Sequence, residues 1–248
     1  MPEAKHLDRY SIDNTDYNVG RDNIKKWGFD VHNPVFVASA GLILLFLVAT
    51  LASDPSVAKA TLDGIKWKII ANFDTLFIWT GNIMVLFCLA LIVLPYGKIR
   101  LGGADAVPEH SILSWFAMLF AAGMGIGLMF WGVAEPMTYF LGAGGTPLGV
   151  TPQTPEAADL AMAATMYHWG FHAWAIYAVI GLALAFFTFN CKLPLTLRSA
   201  FYPLLGERCW GWPGHLIDTF AVLATNFGLA TSLGLGASQV NAGMACLL

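Results

Sequence analysis

The sequence predicts an all-α integral membrane protein with five transmembrane helices. Three observations carry this. Hydrophobic residues make up 57% of the chain and charged residues only 12%, about half the charged share of a soluble domain. The charges gather between apolar runs instead of spreading along the chain. Several of those runs are long enough to cross a bilayer core, which takes about 20 helical residues. The longest uncharged run, between Asp159 and Lys192, has 32 residues. A net charge of −3 leaves no basic surface for nucleic acid. Cys88, Cys191, Cys209 and Cys246 show no CxxC pair and no metal-ligand spacing. The opening 30 residues are polar, so no cleavable signal peptide is visible.

Taken in order, residues 1–33 carry Lys5, Arg9, Arg21, Lys25 and Lys26 among acids and read as a flexible or surface-lying tail. The transmembrane region is expected over 34–248. Its first helix covers about 34–53, opened by Pro34 and stopped by Asp54-Pro55. Val57 to Asp74 reads as an amphipathic connector, with Trp67 and Trp79 suited to the water boundary. The second helix covers about 75–95, and a short polar loop with Lys98 and Arg100 follows. The third covers about 112–134 and is closed by Glu135-Pro136, which puts Glu135 at the outer interface. A turn-rich loop from Gly142 to Pro155 has no basic residue. The fourth helix covers about 160–190, long enough to tilt or protrude. A second basic loop carries Lys192, Arg198 and Arg208, and the fifth helix covers about 219–248. Ten Lys and Arg residues then fall on the side of the opening segment and three on the other. The positive-inside rule puts the N-terminus in the cytoplasm of a cell that holds this protein in its inner or plasma membrane.

The third helix is the centre of the functional reading. It places Gly123, Gly125 and Gly127 in the middle of an apolar run of 23 residues, Ile112 to Ala134. Each glycine costs a helix about 1 kcal/mol relative to alanine. Backbone loosened inside a membrane persists only where it faces a cavity, an ion or a substrate. Gly123 and Gly127 also stand four apart, the spacing that lets two helices pack closely, so both readings are open. On the fourth helix, Trp174 and Tyr177 lie about 140° and 80° round from Trp169 if the helix is regular. Three aromatics on one broad face suit a methylated cation, or equally core packing or interfacial anchoring. His168 and His172, four apart, make half a zinc site at most. Thr225, Asn226, Thr231 and Ser232 on the fifth helix offer hard oxygens for a small cation, or hydroxyls for packing between helices.

The run Gly123-Met124-Gly125-Ile126-Gly127-Leu128-Met129-Phe130-Trp131-Gly132 with Glu135-Pro136 resembles the signature of the betaine/carnitine/choline transporter family. His168-Trp169 with His172, Trp174 and Tyr177 resembles that family's fourth helix, and Thr231 to Ala237 its fifth. The resemblance implies the first part of a twelve-helix, inverted-repeat (LeuT-like) transporter that forms homotrimers among membrane lipid. It implies an aromatic box of Trp169, Trp174 and Tyr177 around a trimethylammonium group, beside an unwound segment that includes Met124, Gly125 and Gly127. It further implies sodium ligands at Ala121, Met124 and Thr225, with Na+ as the coupling ion and no other cofactor. Choline carriers of the family tend to have Asp where this chain has Gly127, and glycine fits a betaine-type substrate that carries its own carboxylate. Leu229 stands where a hydroxyl is expected, which leaves sodium or proton coupling open. The expectation is a symporter, not an enzyme, for glycine betaine or a related compatible solute, serving osmoprotectant uptake. A proton-coupled choline carrier or a carnitine exchanger is the alternative. The chain ends within the fifth helix, and alone it is expected not to transport.

Overall fold

The computed structural model describes residues 8–123 and 125–247. Contacts divide the chain into two compact units: residues 1–106 with 178–226, and residues 107–177 with 227–248.

In the first unit, the polar opening segment is folded. Strands β1 (Asn23–Lys26) and β2 (Phe29–His32) form an antiparallel hairpin that pairs Asn23 with His32 and Lys26 with Phe29. Its turn residues, Trp27 and Gly28, have φ of 53° and 82°, the left-handed twist that two-residue hairpins require. Upstream, Tyr17 stacks on Trp210 with centroids 4.3 Å apart, and the Ile12 N–H donates to the Cys191 carbonyl. Of the flexible or surface-lying tail expected over residues 1–33, the described part is therefore ordered and not flexible. A buried aromatic stack, joining residues far apart in the chain, gives the segment an apolar reason to fold.

The same stack belongs to a small core of Tyr17, Cys191, Leu193, Tyr202, Cys209 and Trp210. Burial pushes the Cys209 thiol up to about 11. Burial, with help from the Glu207 carboxylate that accepts the Tyr202 hydroxyl, pushes Tyr202 up to about 12. Beside this core, Arg198 and Asp218 form a buried ion pair in which the Arg198 N–H also donates to Asp218 Oδ1 at 2.9 Å. Breaking one partner of such a pair costs about 3–5 kcal/mol, because it strands the other charge.

Among the described residues the long helices are α1 (Asn33–Leu51), α2 (Pro55–Val93), α3 (Ile112–Gly123), α4 (Ile126–Leu141), α5 (Pro155–Trp169), α6 (Phe171–Ala185) and α7 (Trp212–Leu247). Among the described residues, four stretches are long and apolar enough to cross a membrane: Asn33–Leu51, Pro55–Val93, Pro155–Asn190 and Trp212–Cys246. The remaining expected span, about 112–134, is divided between α3 and α4.

Three boundaries differ from expectation. The connector Val57–Asp74 is continuous with the second span in the 39-residue α2, which has Asp54 as its N-cap and the i,i+4 pair Lys59–Asp63 on its surface. Such pairs support a helix locally, and no proline interrupts the stretch. Glu135-Pro136 does not close the third helix, because α4 continues to Leu141 and ends on Gly142 in the left-handed region. Helix α7 begins at Trp212, ahead of Thr219, since Asp218 is neutralised by Arg198 and need not mark a water boundary.

Candidate functional site

The glycine-rich run interrupts its helix. Regular α3 stops at Gly123 and α4 starts at Ile126, with Gly125 extended at φ −61° and ψ 170° as the N-cap. Ala121 sits in the last turn of α3, among the carbonyls that a helix leaves without its own donors. Met124 lies outside the described residues. The interruption therefore brings a helix C-terminus, suited to cations, close in sequence to a helix N-terminus, suited to carboxylates.

Trp169 lies against this interruption. A Cβ added at Gly127 would stand 3.3 Å from Cη2 of the Trp169 ring, so glycine is what lets the indole lie on the backbone. The other end of the indole is held as well. Its Nε1–H donates to Glu135 Oε2 at 2.7 Å, and His168 Nδ1 pairs with Glu135 Oε1 at 2.7 Å. Glu135 is only 5% exposed, on the face of α4 that packs against α5. Tyr139, one turn on, faces the same carboxylate. The outer-interface placement of Glu135 is thus corrected: three polar neighbours satisfy the carboxylate inside the helix pair. The sequence held a signal for this, since a lone acid within apolar sequence is by default a functional candidate with a partner.

The fourth span is also broken. Helix α5 ends at Trp169 and α6 begins at Phe171, with Gly170 at φ −86° and ψ −140° between them. A Cβ at Gly170 would stand 2.5 Å from the Met166 carbonyl oxygen. This corrects the expectation that Trp169, Trp174 and Tyr177 share one face of one helix, because angular arithmetic does not carry across a break. Trp169 belongs to α5, and Trp174 and Tyr177 belong to α6 with ring centroids 5.8 Å apart. A cleft of about 490 Å³ opens at the break, lined by Met166, Trp169, Phe171, His172 and Trp174 among others. Tyr177 is 71% exposed and lies outside that lining. The arrangement offers indole faces beside loosened backbone, which can hold a methylated cation at little desolvation cost.

His172 tilts against Tyr167, with centroids 4.3 Å apart. Among the described residues no three His, Cys, Asp or Glu side chains converge as a metal site. Thr225 lies in the first unit, where its hydroxyl donates to the Ala221 carbonyl at 2.8 Å. Thr231 likewise donates to Phe227.

The family model described as betaine/carnitine/choline family transporter matches residues 34–248. The chain belongs to the betaine/carnitine/choline transporter family. That family is one of transporters rather than enzymes, and the chain is a multi-pass, all-α membrane protein. It is 68% identical over 241 residues to glycine betaine transporter 1 of Vibrio parahaemolyticus, covering 97% of this chain and 46% of that protein. It is 58% identical to a glycine betaine/proline/choline/ectoine transporter of the same organism, covering 95% of this chain and 42% of that protein. To the high-affinity choline transport protein of Escherichia coli it is 42% identical, covering 88% of this chain and 32% of that protein. The chain thus spans less than half the length of the curated betaine/carnitine/choline relatives it matches.

Proposed function

We propose that these residues form the amino-terminal part of a secondary carrier that takes up glycine betaine, or a related quaternary-ammonium compatible solute, by symport with sodium. The observation that carries this reading is the Trp169 indole, laid against Gly127 at an interrupted helix and held there by Glu135. The trimethylammonium group is attracted by the indole faces of Trp169 and Trp174, with Tyr177 completing the box. The solute's own carboxylate faces the loosened backbone of Gly125 and Gly127, and no protein anion is needed to balance the substrate. Sodium is held by main-chain carbonyls at Ala121 and Met124, and Thr225 contributes to a second ion site. The driving force is the ion gradient, roughly 2.3 kcal/mol per charge for each 100 mV of potential plus the concentration term. The carrier serves osmoprotection and assembles as a homotrimer, which the mass of the purified full-length protein checks.

Uptake of radiolabelled glycine betaine by the full-length carrier, with and without sodium, tests the reading. Saturable, sodium-dependent uptake is expected, with none from the isolated 248 residues. Trp169→Ala or Trp174→Ala should raise KM by about tenfold or more, in line with a desolvated cation–π contact. Unchanged KM in both variants would remove the aromatic site. Uptake of choline driven by a proton gradient, or carnitine exchange without sodium, would replace the proposed substrate and ion.

A further inference from the structure

Glu135 touches no solute in the solute-binding reading, yet it is a buried acid bonded to the ring that does the binding. We propose that Glu135 is a positioning residue: its carboxylate sets the orientation of the Trp169 indole and so the affinity of the solute site. This rests on the aromatic-site reading of Trp169 given above.

The geometry points to positioning in three ways. An indole has one polar atom and it only donates, so the 2.7 Å bond from Nε1 to Glu135 Oε2 fixes the ring's in-plane direction. The N–H end is held by Glu135, and the benzo edge lies so near Gly127 that a Cβ there would stand 3.3 Å from it. Trp169 is also the last residue of α5, next to the Gly170 break, so no following helical turn holds its side chain. Glu135 supplies the hold from a different helix, α4. His168, beside Trp169 in sequence, takes the second oxygen at 2.7 Å and keeps the carboxylate from swinging away.

The test is a set of variants in the full-length carrier, read by glycine betaine uptake and by a signal that needs no solute. Glu135→Ala should raise KM by about tenfold with Vmax within about twofold, the scale of a lost cation–π geometry. Glu135→Gln should stay within about threefold of the parent, because its amide oxygen still accepts from the indole and its NH2 group still faces His168. Trp169→Phe keeps an aromatic face but has no N–H. Combined with Glu135→Ala, it should weaken binding no further than either change alone, the non-additivity expected of two residues acting through one contact. Additive losses, a Gln variant as weak as the Ala variant, or a Glu135→Ala defect confined to Vmax would each overturn the proposal. The solute-free signal is the ultraviolet resonance Raman band of the Trp169 N–H, taken as the difference between the parent and Trp169→Phe. It should report a strong hydrogen bond that Glu135→Ala abolishes and Glu135→Gln keeps. A band unmoved by Glu135→Ala overturns the positioning role whatever the solute is. If the parent carrier shows no betaine uptake, the solute reading fails while the band still decides the role of Glu135.

Discussion

Two glycines hold the candidate site together at the level of single residues, and they differ in what they tolerate. At Gly170 the atom in the way of a Cβ is a main-chain oxygen, Met166 O, at 2.5 Å. Backbone cannot yield as a side chain does. Gly170→Ala should therefore destabilise the protein by about 2–3 kcal/mol, the range for enforced local strain, and lower its thermal midpoint in detergent. At Gly127 the obstacle is the far edge of the Trp169 ring at 3.3 Å, which need move only slightly. Gly127→Ala should leave the midpoint nearly unchanged. A Gly170→Ala variant as stable as Gly127→Ala would show that the chain passes this point differently. The interruption at Gly125 was legible in the sequence, because three glycines within five residues leave a spanning helix little reason to stay regular. The break at Gly170 was not, since one glycine within a long apolar run is ordinary. That omission is what misplaced Trp174 and Tyr177 relative to Trp169.

Among the elements, the hairpin β1–β2 leads into α1 through His32, where the local electrostatics favour neutrality. Neither ring nitrogen of His32 has a hydrogen-bond partner, and the Asp22 carboxylate is 3.8 Å away, beyond hydrogen-bond reach. Burial and then the Arg198 charge pull the His32 pKa below its usual 6.5, outweighing the opposing pull of Asp22 and Asp218. The His215 ring lies 5.2 Å off. A depressed folded-state value means that the stabilisation is present above the unfolded pKa and is lost as pH falls through the folded one. The thermal midpoint should thus decline as pH falls below the usual histidine value of about 6.5, and His32→Gln, which carries no titrating ring, should flatten that decline. An equal slope in the variant would assign the effect to other groups. The hairpin was hidden from sequence reading for a physical reason. Its polar composition is what an unfolded tail has too, and the partner that orders the segment, Trp210, stands far along the chain. The apolar spans were legible because length and composition decide them locally; their ends were less so, because Asp218 is satisfied by Arg198 instead of by water and the charged connector continues into the second span as one helix.

At the scale of the whole molecule, the first unit adds a constraint to the charge count on which the sidedness of the chain rested. Three basic segments are tied to one another in that unit. The opening segment bonds through Ile12 to Cys191 and stacks through Tyr17 on Trp210. The loop after α2 bonds to the end of the fourth span, where Asn190 Nδ2 donates to the Arg100 carbonyl at 2.9 Å and the Gly102 N–H donates to Asn190 Oδ1 at 3.0 Å. Segments joined this way must lie on one side of any membrane the spans cross. They carry ten of the 13 Lys and Arg residues, so on the positive-inside rule all three are expected together in the cytoplasm. On that rule the loop between α4 and α5, one crossing away in the expected order, is expected outside. Single cysteines test this in a background with Cys88 and Cys246 replaced by serine, since Cys191 and Cys209 are buried. Leu148, 89% exposed, and Trp27, 88% exposed, are the positions to use. Leu148→Cys should react with a membrane-impermeant maleimide added to intact cells, and Trp27→Cys only after the membrane is opened. The reverse pattern would invert the carrier. Labelling of both in intact cells would mean that the three tied segments are not held on the cytoplasmic side, and the charge bias would then have lost its structural support.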